Sequence, residues 1–272
     1  MAGTVGSECA HDTSDVSDIT DYHARKLNAR AISERINMKK SVKPEFDQYA
    51  SKYTDLHQAS MQASGEDSTY FAAYKAKYMA AWIGQDAKTQ PLSILDFGCG
   101  IGNTISHLRQ AFPEATLHGA DLSGESVRLA TESHAHEASF RTIENARLPY
   151  EDKSFDVVMA ACVFHHIPPD ERTYWMTEIR RVLKPGAQAF IFEHNVLNPL
   201  TMKTVRECPF DEDAILLPRA ELLGLARHGK FEEVRSHYIV FFPRMLSLLR
   251  PLEPAMGWIP FGAQYVVHAV AV

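Results

Sequence analysis

The sequence predicts an α/β fold: an open, mostly parallel sheet with helices on both faces. Two observations carry this. From residue 92 onward, short apolar runs alternate with amphipathic stretches. One run, FDVVMAACVF (155–164), is apolar at every position but Asp156, as expected of a parallel strand covered on both faces. The length agrees, since 272 residues suffice for one large α/β domain or two small ones.

The chain opens on a polar stretch. Residues 1–20 hold four acidic side chains and neither Lys nor Arg. Residues 21–40 reverse the sign with Arg25, Lys26, Arg30, Arg35, Lys39 and Lys40. We read 1–40 as a mobile N-terminal extension whose second half forms a solvated helix. Residues 41–90 read as a helical cap or lid. FDQYASKYTDLHQ puts Phe46, Tyr49 and Tyr53 on one helical face, and TYFAAYKAKYMAAWIG repeats the pattern with Tyr70, Phe71, Tyr74, Tyr78 and Trp82. Such aromatic stripes serve as core or docking surface first, and line a ligand second.

The main domain is read as 91–272. LSILDF, TLHGADL, SFRTI, FDVVMAACVF and AQAFIFEHN are its first five strands. The helices between them are ISHLRQAF, which stops before Pro113, GESVRLATESHAH, and PDERTYWMTEIRRVL, which the following KPG closes. Residues 195–217 are too long for a simple connection and read as a lid insertion. LPRAELLGLARHGKF then gives a helix, EEVRSHYIVFF a strand and AQYVVHAVAV a final strand.

Bulk properties narrow the partners. A formal charge of -6 and a pI of about 6.1 argue against nucleic acid, which calls for a basic face. No apolar run is long enough to cross a bilayer, so stable membrane insertion is not expected. The N-terminus lacks a basic segment followed by an apolar one, so a cytoplasmic location is expected. Cys9, Cys99, Cys162 and Cys208 are scattered and form no CxxC pair, and no metal is expected. Nothing in the sequence sets the oligomeric state.

The stretch SILDFGCGIGN (93–103) carries the first chemistry. A phosphate-cradling loop needs Lys and Ser/Thr after its last glycine, but Asn103 and Thr104 follow Gly102. The dinucleotide fingerprint needs its third glycine three positions after the second, whereas Gly100 and Gly102 are two apart. Asp96, just ahead of the turn, would repel a pyrophosphate and suits a ligand with an amino group.

This stretch resembles motif I of the class I S-adenosylmethionine-dependent methyltransferases, an acidic residue followed by x-G-x-G-x-G. Three further segments extend the resemblance over roughly 90–270. Asp121, ending TLHGADL, matches the acidic residue that holds both ribose hydroxyls in that family. Asn145-Ala146 ahead of Leu148-Pro149-Tyr150 matches a block that usually reads Asp-Ala, and RRVLKPGAQAFIFE matches a helix-KPGG-strand segment with Ala187 for the second glycine. The resemblance implies a Rossmann-like, seven-stranded sheet in the order 3-2-1-4-5-7-6, with the last strand antiparallel and an N-terminal helical cap. It implies S-adenosylmethionine as cofactor, contacted by Asp96, Gly98, Cys99, Gly100, Asn103, Asp121, Leu122, Asn145, Ala146, Cys162 and, from the cap, Tyr53.

The implied reaction is in-line methyl transfer to a small-molecule acceptor, with the candidate bases at the ends of strands four and five. An oxygen acceptor is favoured, with N- or C-methylation as the alternative. His194 leads as general base, with His165, His166 and Glu193 as further catalytic candidates. In an extended segment His165 and His166 would point to opposite sides, so only one should face the pocket. Two other classes rank lower. A nucleic-acid methyltransferase would carry Asp/Asn-Pro-Pro-aromatic, which CVFHHIPPD lacks, and a non-catalytic subunit would often have lost Asp96 or Asp121.

Overall fold

The computed structural model describes residue 66, residues 68–84 and residues 89–272. The expected 1–40 extension and the helix carrying Tyr49 and Tyr53 lie outside the described residues.

Helix α1 (Ser68–Ile83) precedes the sheet, and the chain then alternates. It runs β1 (Ser93–Phe97), α2 (Ile105–Ala111), β2 (Thr116–Asp121), α3 (Gly124–His134), β3 (Ala138–Thr142) and β4 (Phe155–Ala161). It continues through α4 (Arg172–Val182), β5 (Leu183–His194), α5 (Pro199–Glu207), α6 (Arg219–His228), β6 (Phe231–Ile239), α7 (Glu253–Met256) and β7 (Gln264–Ala271). The seven strands form one sheet in the order β3-β2-β1-β4-β5-β7-β6. Pairing is parallel from β3 through β5, and β7 runs antiparallel to both β5 and β6. The expected α/β, seven-stranded architecture is therefore what the chain adopts.

Strand parity divides the core in two. Leu95, Phe97, Val158, Ala189 and Ile191 join one cluster with Trp175, Met176 and Ile179 of α4. Ile94, Val157, Met159, Phe190 and Phe192 join the other with Ala76 and Met79 of α1 and Ile105 and Leu108 of α2. Both faces of the central strands are thus largely apolar, which explains their hydrophobic runs, interrupted by Asp96 in β1 and Asp156 in β4. α3 starts where Ser123 accepts the Ser126 N–H at 3.0 Å, with Glu125 in the first turn, and α5 starts where Asn198 accepts from Leu200 and Thr201.

Two local expectations need correction. FDVVMAACVF does not stay extended: β4 ends at Ala161, Cys162 takes φ 59, and Phe164–His166 forms a 3-10 turn. Nor does KPG close a helix. α4 ends at Val182, and Lys184-Pro185-Gly186 lies in a bulge of β5, with Gly186 at φ 80, between the pairs Phe155–Leu183 and Val157–Gln188. Residues 195–217 contain α5 and a 3-10 turn at Pro209–Asp211, and so form a structured insertion at the carboxyl end of β5.

Candidate active site

The carboxyl ends of β1 to β5 bring the predicted residues to one edge of the sheet. The glycine turn leaves β1 with Gly98, Gly100 and Gly102 at φ 74, 51 and 85, a region that disfavours any side chain. Gly98 and Cys99 N–H donate to the Ala120 carbonyl at 2.8 and 3.2 Å, fastening the turn to β2. The Asp121 carboxylate accepts the Gly100 N–H at 2.8 Å and the Ser123 N–H at 2.9 Å. A Cβ on Gly98 would lie 2.5 Å from Val163, whereas one on Gly100 would meet nothing within 4 Å among the described residues. The backbone at Gly100 therefore borders open space.

Asp96 is buried below this turn, and its Oδ2 has no hydrogen-bond partner among the described residues. Burial, then the nearby Asp121 charge, push its carboxyl up to about 7, with Lys75 opposing. Lys75 enters from α1, buried, with Nζ 4.0 Å from Cys162 Sγ. Gln264, at the start of β7, donates to the same sulfur at 3.5 Å and leaves its Oε1 without a partner among the described residues. Buried polar atoms left unpaired are costly, so two at one edge mark a place where a polar ligand would fit.

Cys162, Asn145 and Ala146 each take a positive φ, of 59, 53 and 54. Such conformations are rare for side-chain-bearing residues and gather at binding sites. Asn145 is exposed, Ala146 is buried, and the Ala146 carbonyl accepts from the Tyr174 hydroxyl at 2.7 Å. Leu122 exposes 41% of its surface beside Asp121, leaving an apolar face for a flat ring. Asn103 is exposed at the far end of the glycine turn, and Cys99 is buried under it. Tyr53 lies outside the described residues.

The histidines form a tighter cluster than the sequence implied. His165 Nδ1 lies 2.6 Å from Glu193 Oε2, and Glu193 Oε1 accepts the Phe164 N–H at 2.7 Å. Asp211 Oδ1 stands 3.4 Å from His165 Nε2 and 3.5 Å from His166 Nε2. The ring centre of His165 is 4.1 Å from that of His166 and 5.1 Å from that of His194. The expectation that His165 and His166 diverge is corrected here: the 3-10 turn gathers both onto Asp211.

Charge in the cluster is divided unequally. Burial alone would lower His165, but Glu193 and Asp211 outweigh it and hold the imidazole at about 10. Burial and then the His165 charge bring His166 down to about 3 and His194 to about 4. Burial would raise Asp211, yet the hydrogen bond and charges of the histidines hold it at about 2. Glu193 is also held below the usual carboxylate range: burial opposes this, and His165 overcomes it.

Sequence reasoning missed three members of this edge: Lys75, Asp211 and Gln264. Lys75 sits amid an aromatic stripe as one of two lysines, and only packing separates it from the exposed Lys77. Asp211 is one of three acidic residues in DED, with no local cue to its partner. Gln264 gains its place through pairing with His194 across β5 and β7.

Residues 94–186 match the family described as "Methyltransferase domain". The chain is 31% identical over 124 residues to norajmaline N-methyltransferase of Rauvolfia serpentina, covering 43% of this chain and 41% of that one. It is 31% identical over 107 residues to malonyl-[acyl-carrier protein] O-methyltransferase of Halalkalibacterium halodurans, covering 38% and 39%. The chain thus spans about two fifths of the length of these curated relatives. A solved structure from Thermotoga maritima, described as a SAM-dependent methyltransferase and possible histamine N-methyltransferase, superimposes with a TM-score of 0.57. It covers 84% of this chain and 98% of its own at 16% identity, which speaks to the fold.

Proposed function

We propose that this chain, which belongs to the class I S-adenosylmethionine-dependent methyltransferases, transfers a methyl group to a small molecule at the carboxyl edge of its sheet. The observation that carries the reading is Asp96, a buried carboxylate with one oxygen unpartnered among the described residues, beneath three left-handed glycines. A ligand with an ammonium group would satisfy that oxygen, and the open space at Gly100 admits its backbone-hugging chain. The cofactor, when bound, supplies an electrophilic methyl group on a sulfonium.

The chain's own residues then do three things. Asp96, Gly98, Cys99, Gly100 and Asn103 hold the methionine end, while Asp121 offers its remaining acceptor capacity to the ribose diol. Leu122, Asn145 and Ala146 border the adenine. Cys162, Gln264 and Lys75 border the transferred group, and helix α1 with the 195–217 insertion excludes water.

An oxygen acceptor is the favoured substrate, and His194 is the assigned base because it ends β5 at the mouth of this edge. Glu193 positions His165 rather than acting on the acceptor: its Oε2 lies 2.6 Å from the His165 Nδ1, and its Oε1 accepts the Phe164 N–H at 2.7 Å. Among the relatives compared, one is named for N- and one for O-methylation, so nitrogen acceptors form the second reading.

The test is incubation of the full chain with methyl-labelled cofactor and fractionated metabolites, followed by mass spectrometry. Labelled small molecules and released S-adenosylhomocysteine are expected. His194→Gln should lower turnover while cofactor affinity holds. Label confined to nucleic acid, or turnover unaffected by that substitution, would contradict the substrate class or the base respectively.

A further inference from the structure

We propose that His165, His166 and Asp211 form a binding site for a divalent transition-metal ion. This departs from the sequence expectation that no metal is bound, and it does not depend on methyl transfer. One donor atom from each of the three residues lies within 4.8 Å of the others. The spacing is informative. Asp211 Oδ1 is 3.4 Å from His165 Nε2 and 3.5 Å from His166 Nε2. Charge-assisted hydrogen bonds between such groups run to about 2.7–2.9 Å, and both contacts are longer than that. They match instead the distance between neighbouring ligand atoms around a tetrahedral ion, about 3.3 Å for metal–ligand bonds of about 2.0–2.1 Å.

A second, independent observation points the same way. The far nitrogen of His165 is held by Glu193 at 2.6 Å, and Glu193 is itself fixed by the Phe164 N–H at 2.7 Å. A carboxylate on Nδ1 orients the ring and leaves Nε2 aimed at Asp211. Metal-binding histidines usually have such an outer partner. The Glu193 side chain is 1% exposed, so this buried charge is held where it supports the histidine and the turn at Phe164.

Two imidazole nitrogens and one carboxylate suit zinc, iron, manganese or cobalt, and suit calcium or magnesium poorly. Three protein ligands leave a coordination position open. The His166 and Asp211 side chains are 23% and 10% exposed, which gives an ion a way in, while His165 at 1% forms the floor. The ligands come from two separate segments, the turn after β4 and the 195–217 insertion. An ion would therefore tie the insertion to the sheet edge.

The experiment uses the full chain, freed of metal with a chelator and dialysed. It is titrated with Co²⁺ by absorption spectroscopy and with Zn²⁺ by calorimetry, without cofactor or acceptor. We expect about one ion per chain, with the visible bands of histidine-ligated cobalt. His166→Gln and Asp211→Asn should each weaken binding at least about tenfold, and Glu193→Gln about 10–100-fold. His136→Gln, whose side chain is 77% exposed, should leave binding unchanged. Circular dichroism confirms that each variant is folded, and if Asp211→Asn fails this control, His166→Gln and the parent spectrum decide. Absence of cobalt bands in the parent chain, or equal affinity in the parent and His166→Gln, would overturn the proposal. Because no methyl transfer is measured, these results stand apart from the catalytic reading.

Discussion

Asp96 concentrates the argument at the scale of a single residue. Its folded pKa of about 7 lies above the ordinary carboxylate value, so the folded chain retains a proton that the unfolded chain has lost. The stabilisation from this extra proton is fully present below the unfolded value and is lost as pH rises through about 7. An ammonium ligand needs the ionised form, so cofactor affinity should climb between about pH 6 and 7. Asp96→Asn should flatten that rise and weaken binding roughly tenfold, the effect of losing a charge-assisted hydrogen bond. Calorimetric titrations at several pH values check both. A pH profile identical in the variant and the parent chain would remove Asp96 from the site.

Among the elements, the glycine turn and the turn after β4 depend on each other. A Cβ on Gly98 would press against the branched side chain of Val163 at 2.5 Å, at a backbone angle of φ 74. Gly98→Ala should cost about 2 kcal/mol or more in urea unfolding, since strain and overlap add. Gly100→Ala meets open space, so its stability cost should stay near about 1 kcal/mol while cofactor binding suffers more. Equal effects of the two on stability would contradict the reading of the turn. This level also marks what the sequence can tell. The glycine spacing, Asp96 and Asp121 were legible because each sits within a few residues of a strand end. The approach of His165 and His166 was not, because it depends on Cys162 turning the chain at φ 59, a conformation with no cue in an apolar run. Asp211 and Lys75 reach the site through long-range packing, which local pattern does not encode.

Across the whole molecule, Arg172 clamps the site's far side. Its buried guanidinium donates to the Phe164 and Ile167 carbonyls at 3.2 and 3.0 Å, to the Ile215 carbonyl, and to Glu221 at 2.6 Å. It thereby joins the turn after β4, the end of the insertion and the start of α6. Arg172→Ala leaves buried carbonyls unpaired and should cost about 3 kcal/mol, read by thermal or urea unfolding. Limited proteolysis should then cut first within 195–217, and an unchanged cleavage pattern would mean that the insertion is held by other contacts. No helix among the described residues is long and apolar enough to cross a membrane. We place S-adenosylmethionine at the edge of the sheet built by β1, β2 and β3. Equilibrium binding of that cofactor to the full chain, alongside Asp121→Ala, tests it most directly. The account predicts saturable binding that the substitution weakens by about 1–3 kcal/mol. No binding at near-millimolar cofactor, or equal binding by the two chains, would contradict it.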